Sequence, residues 1–346
     1  MFDKVYIDGD WLLFLVAATC EENYIEVKDT SKPDEPIKEY KNKTAFKAYL
    51  KGAGESFDET VHLIESKKRL KREDIFPLST QILKNKAHKI RRDSLASNIV
   101  IALGGETNFR DRLPLPVKYK GNRDGVQKPL LLKSLSTWMA KNFEVEYAVD
   151  QEADDIISIN QYEGSKTNKT VVCTLDKDSR GTPGYLHNPT LQETLNIEGL
   201  GYCELIVKTG KSKLYGVGRV WEYIQWISGD KVDNYHPQDL LSKRLIVDKR
   251  SNLIVPMYKK SDSKIYEEVK DFTTDKEWFQ YIHDLFYSWY KDLEWYYTWD
   301  DILIENATYL DILQVYVDVV HMRRWEDDRV LIKDILQKQG IELLCQ

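Results

Sequence analysis

Short apolar runs that end in acids or glycines alternate along the chain with longer stretches of helical period. Val5–Ile7, Ile99–Leu103 and Val171–Leu175 read as buried strands, and Val145–Val149 as a further extended piece. Trp11–Glu22, the basic Ile82–Ala96, Leu130–Asn142 and Asp154–Gln161 read as the helices between them. Strands joined by helical crossovers predict an α/β fold with a central, mainly parallel sheet flanked by helices. Segment 28–58 is polar and broken by Pro33, Pro36, Gly52 and Gly54, which predicts an inserted loop with one short helix. Segment 181–218 carries glycines and alternating residues, as hairpins do. From about 236 the chain turns polar and strand-like, then aromatic and helical over Trp278–Trp299. That change predicts a domain of residues 1–235 followed by a mostly helical C-terminal lobe of residues 236–346. Trp278, Phe279, Tyr281, Phe286, Tyr287, Trp289 and Tyr290 lie among acids with few Lys or Arg, so they are expected to pack as core and not to stack on bases.

Composition narrows the class. With 346 residues, 42% hydrophobic and 31% charged, the chain has ample material for a core, which excludes disordered and fibrous classes. The longest apolar run, Trp11 to Cys20, is ten residues, about half of what a spanning helix needs, and no membrane partner is expected. It follows no basic leader, and Cys20, Cys173, Cys203 and Cys345 show no C-x-x-C spacing, so a reducing, cytoplasmic setting is expected. His62, His88, His187, His236, His283 and His321 have no zinc spacing.

The net charge of −6 hides an uneven distribution. Lys67–Arg92 holds ten Lys/Arg against two acids, Arg110–Lys133 seven against two, and Asp292–Asp328 ten acids against two arginines. A solvated face is the usual origin of such runs, so the charge alone selects no partner.

The acids select more. Asp8 and Asp10 close the first predicted strand in Y-I-D-G-D, and Asp176 and Asp178 follow the third in T-L-D-K-D. Glu152, Asp154 and Asp155 open a helix in E-A-D-D, and Asp230 and Asp233 lie in G-D-K-V-D-N. Ligands of a parallel sheet bind beyond the carboxyl ends of its strands, where these four clusters can converge. Converging carboxylates repel unless cations neutralise them, and oxygen donors select hard ions such as Mg²⁺ or Mn²⁺. Two such ions activate a water and stabilise the leaving oxygen of a phosphodiester. Helix caps and turns are the structural alternative for the same acids. Between the second strand and E-A-D-D lie N-F-R-D-R and K-Y-K-G-N-R-D, where Arg forks, mobile Lys charges and the face of Tyr119 suit a nucleic-acid backbone.

In this order, Y-I-D-G-D-W-L-L-F, F-R, Y-K-G-N-R-D, E-A-D-D, T-L-D-K-D and G-D-K-V-D-N resemble the metal-dependent 5′ nucleases, which include flap endonucleases and phage 5′-3′ exonucleases with a PIN-like fold. The likeness covers about residues 1–235 and is greatest to the bacteriophage branch. It implies that Asp8, Glu152, Asp154, Asp155, Asp176, Asp178, Asp230 and Asp233 hold two Mg²⁺ ions, with Mn²⁺ able to substitute. It implies catalytic roles for Lys120, Arg123 and Asp176, with Lys120 and Arg123 on a basic arch of about residues 112–145. It also implies DNA contacts from Arg110, Arg112, Lys118, Tyr119, Lys120, Arg123 and Lys128. The expected activity is a 5′-3′ exodeoxyribonuclease acting on 5′ ends and flaps in DNA replication or degradation, with RNA-primer removal and RNA–DNA hybrids within reach. The acidic tail is a candidate surface for replication proteins.

Two departures stand out. The family places an Asp at the end of the second strand, where this chain has Gly104 and Gly105, with Glu106 the nearest acid. Asp10 and Glu106 are therefore the unassigned candidates. After Asp233, relatives carry a Gly-rich helix-hairpin-helix, but here the sequence is Y-H-P-Q-D-L-L-S-K-R, so that device is expected to be absent or degenerate. A PIN-type endoribonuclease and a noncatalytic nucleic-acid-binding protein of the same fold stay open as alternatives.

Overall fold

The computed structural model describes residues 1–208, 211–243, 245–247, 254–256 and 260–344. The chain divides into two compact units. The first comprises Met1–Gly9, Ile90–Val126 and Glu144–Gln346, and the second Asp10–Lys89 with Gln127–Phe143. Residues 236–346 thus belong to the same unit as the central sheet. Among the described residues no helix is long and apolar enough to cross a membrane.

The central sheet has six strands in the order β6-β5-β1-β7-β8-β9. They are β1 (Phe2–Asp8), β5 (Ala96–Leu103), β6 (Glu144–Tyr147), β7 (Thr170–Cys173), β8 (Gly184–Asn188) and β9 (Glu193–Ile197). The first five in that order pair in parallel, and β9 returns antiparallel to β8. The mixed α/β architecture with a mostly parallel sheet is therefore as expected. Parallel strands buried on both faces need unbroken apolar runs, and Val5, Ile7, Val100, Ile101, Val171 and Val172 are almost wholly buried. The strand order reverses at β1, between β5 and β7, and a sheet of this kind places its ligand crevice beyond the ends of those strands.

Helix α5 (Ala153–Thr167) packs on β1, β5, β7 and β8. The shared core there includes Ala102, Ile156, Ile157, Val172 and Leu186. Its N-terminus is fixed by a capping box between Glu152 and Asp155. The hairpin β10 (Tyr202–Lys208) and β11 (Lys211–Val217) leads into α6 (Arg219–Ser228). The remainder of the unit holds α7 (Asp262–Val269), α8 (Asp275–Tyr290), α9 (Tyr309–Val320) and α10 (Ile332–Lys338). Trp278, Phe279, Phe286, Trp289 and Tyr290 are buried in one core with α6 and α9, as the acid-flanked pattern predicts, while Tyr281 and Tyr287 pack at its margin.

The second unit corrects one expectation. Segment 28–58 is no plain loop: β2 (Glu21–Asp29), β3 (Lys38–Tyr40) and β4 (His62–Leu70) form an antiparallel sheet with α2 (Lys43–Gly52) beside it. A small core of Ile25, Val27, Phe46 and Leu50 holds it together, too sparse to show as a pattern among so many charges. The basic run of β4 is answered by acids on the neighbouring strands: Lys68 pairs with Glu21 at 2.6 Å, and Arg69 with Glu22 and Glu39. The unit also contains most of α1 (Gly9–Thr19) and α3 (Ile75–Asp93), and all of α4 (Leu132–Asn142). Helix α1 ends at Thr19, three residues before the expected Glu22, because Glu21 already pairs in β2. Cys20 and Cys173 are buried, Cys203 is partly so and none is bridged; Cys345 lies outside the described residues.

Candidate active site

Asp8 is the last residue of β1, and Gly9 follows because nothing larger fits. A Cβ at Gly9 would lie 2.4 Å from Ile101 and 2.7 Å from the Ala102 carbonyl. Asp8 is buried and accepts a hydrogen bond from Thr174 Oγ1 at 2.9 Å, from the turn after β7. The same Thr174 hydroxyl receives the amide of Asp176 at 2.9 Å, and the Asp176 carboxylate receives the amide of Asp178 at 2.8 Å. T-L-D-K-D is thus a self-bonded turn that aims two carboxylates. Gln225 Nε2, on α6, donates to Asp178 at 2.6 Å.

Two loops complete the site. Asp230 and Tyr235 exchange backbone hydrogen bonds at 2.9 and 3.1 Å, closing a tight loop that presents Asp230 and Asp233. This loop is laced to K-Y-K-G-N-R-D. Lys120 N donates to Asp233 O at 2.8 Å, Asn122 Nδ2 donates to the carbonyls of Lys231 and Val232 at 3.1 Å, and Asn234 Nδ2 donates to Lys118 O at 2.9 Å. Lys120 adopts a left-handed φ of 52°, a conformation that costs an L residue roughly 1–2 kcal/mol and that the lacing sustains.

The charges meet in this frame. Oxygen atoms of Asp178, Asp230 and Asp233 lie within 4.8 Å of one another, a grouping that can hold a metal ion. Lys177 Nζ bonds Asp230 and lies 3.3 Å from Asp178. Lys120 Nζ bonds Glu152 and lies 4.0 Å from Asp233, which Arg123 reaches at 2.6 Å. Burial, with Asp8, Asp176 and Glu152 beside it, holds the Asp154 carboxyl well above the carboxylate range. Burial and the neighbouring Asp178 push Asp176 up to about 7, and burial outweighs Lys120 and Arg123 to raise Asp233. These acids are packed more densely than their cations can offset.

Several expected residues fall elsewhere. Asp155 is wholly buried and gripped by Arg110 at 2.6 and 3.0 Å, so it is not directed at a metal ion. Arg110 is equally buried and cannot touch DNA. Tyr119 is buried as well, and its hydroxyl lies 3.0 Å from Glu152 and 3.4 Å from Asp233, so it orients carboxylates and offers no face to a base. Arg112 is exposed and forks onto Asp150, Lys118 pairs with Asp124 at 2.7 Å, and Lys128 is exposed. Asp10 is exposed in the first turn of α1, and Glu106 is exposed after β5.

The missing second-strand Asp has a steric cause at Gly105. A Cβ there would lie 1.9 Å from the Ala148 carbonyl, so the backbone passes too close to the chain leaving β6 for any side chain. Among the described residues, the Asp230–Asp233 loop is followed by a 3-10 turn at Asp239–Lys243 and the paired strands Leu245–Val247 and Ile254–Pro256, and the next α-helix begins at Asp262, so no helix-hairpin-helix is present among them. Sequence reading missed Thr174, Lys177 and Gln225. Lys177 could have been found from its place between two acids in D-K-D, whereas Gln225 carries no signal without the fold.

No protein-family model and no curated protein matches the chain. Among solved structures it is similar to the bacteriophage T5 flap endonuclease in a pseudo-enzyme–product complex with DNA and metal ions. That match has 12% identity, covers 98% of this chain and 99% of the other, and has a TM-score of 0.45. It is also similar to T5 5′-exonuclease with bound zinc, at 11% identity over 98% of each chain and a TM-score of 0.42. Identities this low assign no residue roles, and the chemistry rests on the side-chain geometry of this chain.

Proposed function

We propose that the crevice is the active site of a metal-dependent 5′ nuclease, a 5′-3′ exodeoxyribonuclease that also cuts flaps. The observation that carries this reading is a charge imbalance. Oxygen atoms of Asp178, Asp230 and Asp233 lie within 4.8 Å of one another, and Asp154, Asp176 and Asp233 are raised although Lys120, Arg123 and Lys177 lie among these acids, a repulsion that divalent cations would relieve. An all-oxygen donor set fits Mg²⁺, with Mn²⁺ as substitute. Asp178, Asp230 and Asp233 are grouped closely enough to hold one ion, and Asp8, Glu152, Asp154 and Asp176 would supply ligands to a second. When bound, the ions supply an activated water and charge stabilisation for the leaving oxygen.

The chain's own groups do the rest. Lys120 and Arg123, on a loop laced to the Asp233 loop, face the charge that develops on the phosphate oxygens. Tyr119 holds Glu152 and Asp233 toward one another, and Lys177 holds Asp178 and Asp230. Arg112, exposed, and Lys118, half-buried, would offer charge to the DNA backbone, so sequence preference should be weak and affinity should fall steeply with salt. RNA–DNA hybrids, primer removal, a cytoplasmic setting and replication-protein contacts through the acidic tail belong to the same proposal.

The test is digestion of 5′-labelled and 3′-labelled duplexes, with and without a 5′ flap, in Mg²⁺ and in EDTA. Release of short 5′ products in Mg²⁺ alone is the expected result. Intact substrate in every arm, with DNA binding preserved, would replace this reading with that of a noncatalytic DNA-binding protein.

A further inference from the structure

Behind the crevice runs a second set of charges, in which each carboxylate has a cationic partner. Arg110 forks onto Asp155 through Nη1 and Nη2, and its remaining donors reach the carbonyls of Val319 at 2.9 Å and His321 at 2.7 Å. The Asp155 carboxylate in turn receives the amides of Glu152 at 3.0 Å and Arg323 at 3.1 Å. Asp155 thus ties the start of α5, which carries Glu152 and Asp154, to the chain that leaves α9. The same segment reaches α6. His321 Nδ1 lies 2.7 Å from Glu222 and Nε2 lies 2.9 Å from Asp328, while Arg324 donates to the other Glu222 oxygen at 2.9 Å. Glu222 and Gln225 are three residues apart on one face of α6. Gln225 holds Asp178, and α6 ends at Ser228, with Gly229 capping it immediately before Asp230.

We infer that segment 319–328 is a positioning element of the active site: through Arg110 it fixes the α5 carboxylates, and through His321 it fixes α6 and the Asp178–Asp230–Asp233 group. The inference rests on the metal-site reading above. His321 bonds no crevice carboxylate and acts through Glu222 and α6, while Arg110 acts chiefly through Asp155 and reaches the Glu152 carboxylate only at 3.9 Å. A fold that needed only burial here could use apolar side chains, because a buried ion pair is often no more stabilising than well-packed hydrophobic residues. What an ionic chain adds is a fixed orientation for each carboxylate. Partners that orient metal-binding side chains from outside the coordination shell typically account for about 10–100-fold in metal affinity.

The experiment is titration of the metal-free protein with Mn²⁺, followed by electron paramagnetic resonance, for wild type, Arg110→Lys, His321→Phe and His321→Gln. Melting temperature and DNA affinity in EDTA are measured alongside. The expected result is Mn²⁺ binding weakened by about tenfold or more in Arg110→Lys and His321→Phe. His321→Gln, which keeps a donor, should recover part of the loss, and DNA affinity in EDTA should not change. Should Arg110→Lys fail to fold, Arg324→Gln, which removes only one bond to Glu222, takes its place. Lowered melting temperatures with Mn²⁺ affinities within twofold of wild type would make the segment merely structural and overturn the inference. A wild type that binds no Mn²⁺ would instead overturn the metal-site reading, and the inference with it.

Discussion

Two groups of acids in one unit behave in opposite ways. In the crevice, burial and neighbouring carboxylates raise Asp154, Asp176 and Asp233. In the chain behind it, burial also works to raise Asp155 and Glu222, but Arg110 overrides it for the first and His321 with Arg324 for the second, so both lie below the usual range. Both groups are carboxylates, and the crevice acids are the more open of the two: Asp176 is exposed and Asp154 and Asp233 half-buried, against buried Asp155 and Glu222. The difference is the supply of cations, and it separates acids that hold the fold together from acids left short of countercharge.

The largest effect that separates them should be kinetic. Asp176→Ala should lower cleavage by roughly 10²–10⁴-fold, several kcal/mol of transition-state stabilisation, in a single-turnover assay at saturating Mg²⁺. In the metal-free protein the same change should leave stability equal or slightly higher, because it removes repulsion. Asp155→Ala should do the reverse in denaturant unfolding: stranding the buried Arg110 should cost about 3–5 kcal/mol.

A smaller effect comes from pH. The folded-state carboxyls of Asp154, Asp176 and Asp233 are raised, so the folded state binds more protons than the unfolded one above pH 4. Metal-free stability should therefore fall as pH rises from about 4 to 7, and Mg²⁺ should restore it. Asp155 and Glu222 have the opposite sign, with stability present above about pH 4 and lost in acid. His321, raised to about 9 by Glu222 and Asp328 against its burial, contributes stability that is complete below about pH 6.5 and lost as pH rises through 9. Thermal melts from pH 4 to 10, with and without Mg²⁺, read all three. The smallest effect is expected at Arg123, half-exposed beside Asp233. Arg123→Ala should weaken DNA binding uniformly across sequences and reduce the salt slope by about 1.

The sequence made the crevice side of this contrast visible and the other side almost invisible. Asp8 closes, and Asp176 and Asp178 follow, strands that hydrophobic patterning locates, so their approach could be read from strand order, whereas Asp230 and Asp233 follow α6 and are placed by the fold. Asp155 sits beside Asp154 in the same E-A-D-D. A one-residue step on a helix swings the side chain by about 100°, which sends Asp154 to the crevice and Asp155 to Arg110. The burial of Arg110 had no local signal, because its partners Val319 and His321 lie more than 200 residues away. The sheet of the second unit was hidden for a related reason, since its few core residues lie among paired charges.

The central claim is that the crevice lacks countercharge that divalent cations supply. Its most direct test is calorimetric titration of the metal-free protein with Mg²⁺ at pH 6, 7 and 8, in buffers of differing ionisation enthalpy. Binding accompanied by proton release that declines from pH 6 to 8, and abolished in Asp178→Asn/Asp230→Asn, is the predicted result. No Mg²⁺ binding at any of the three pH values, with a melting temperature indifferent to the ion, would contradict it.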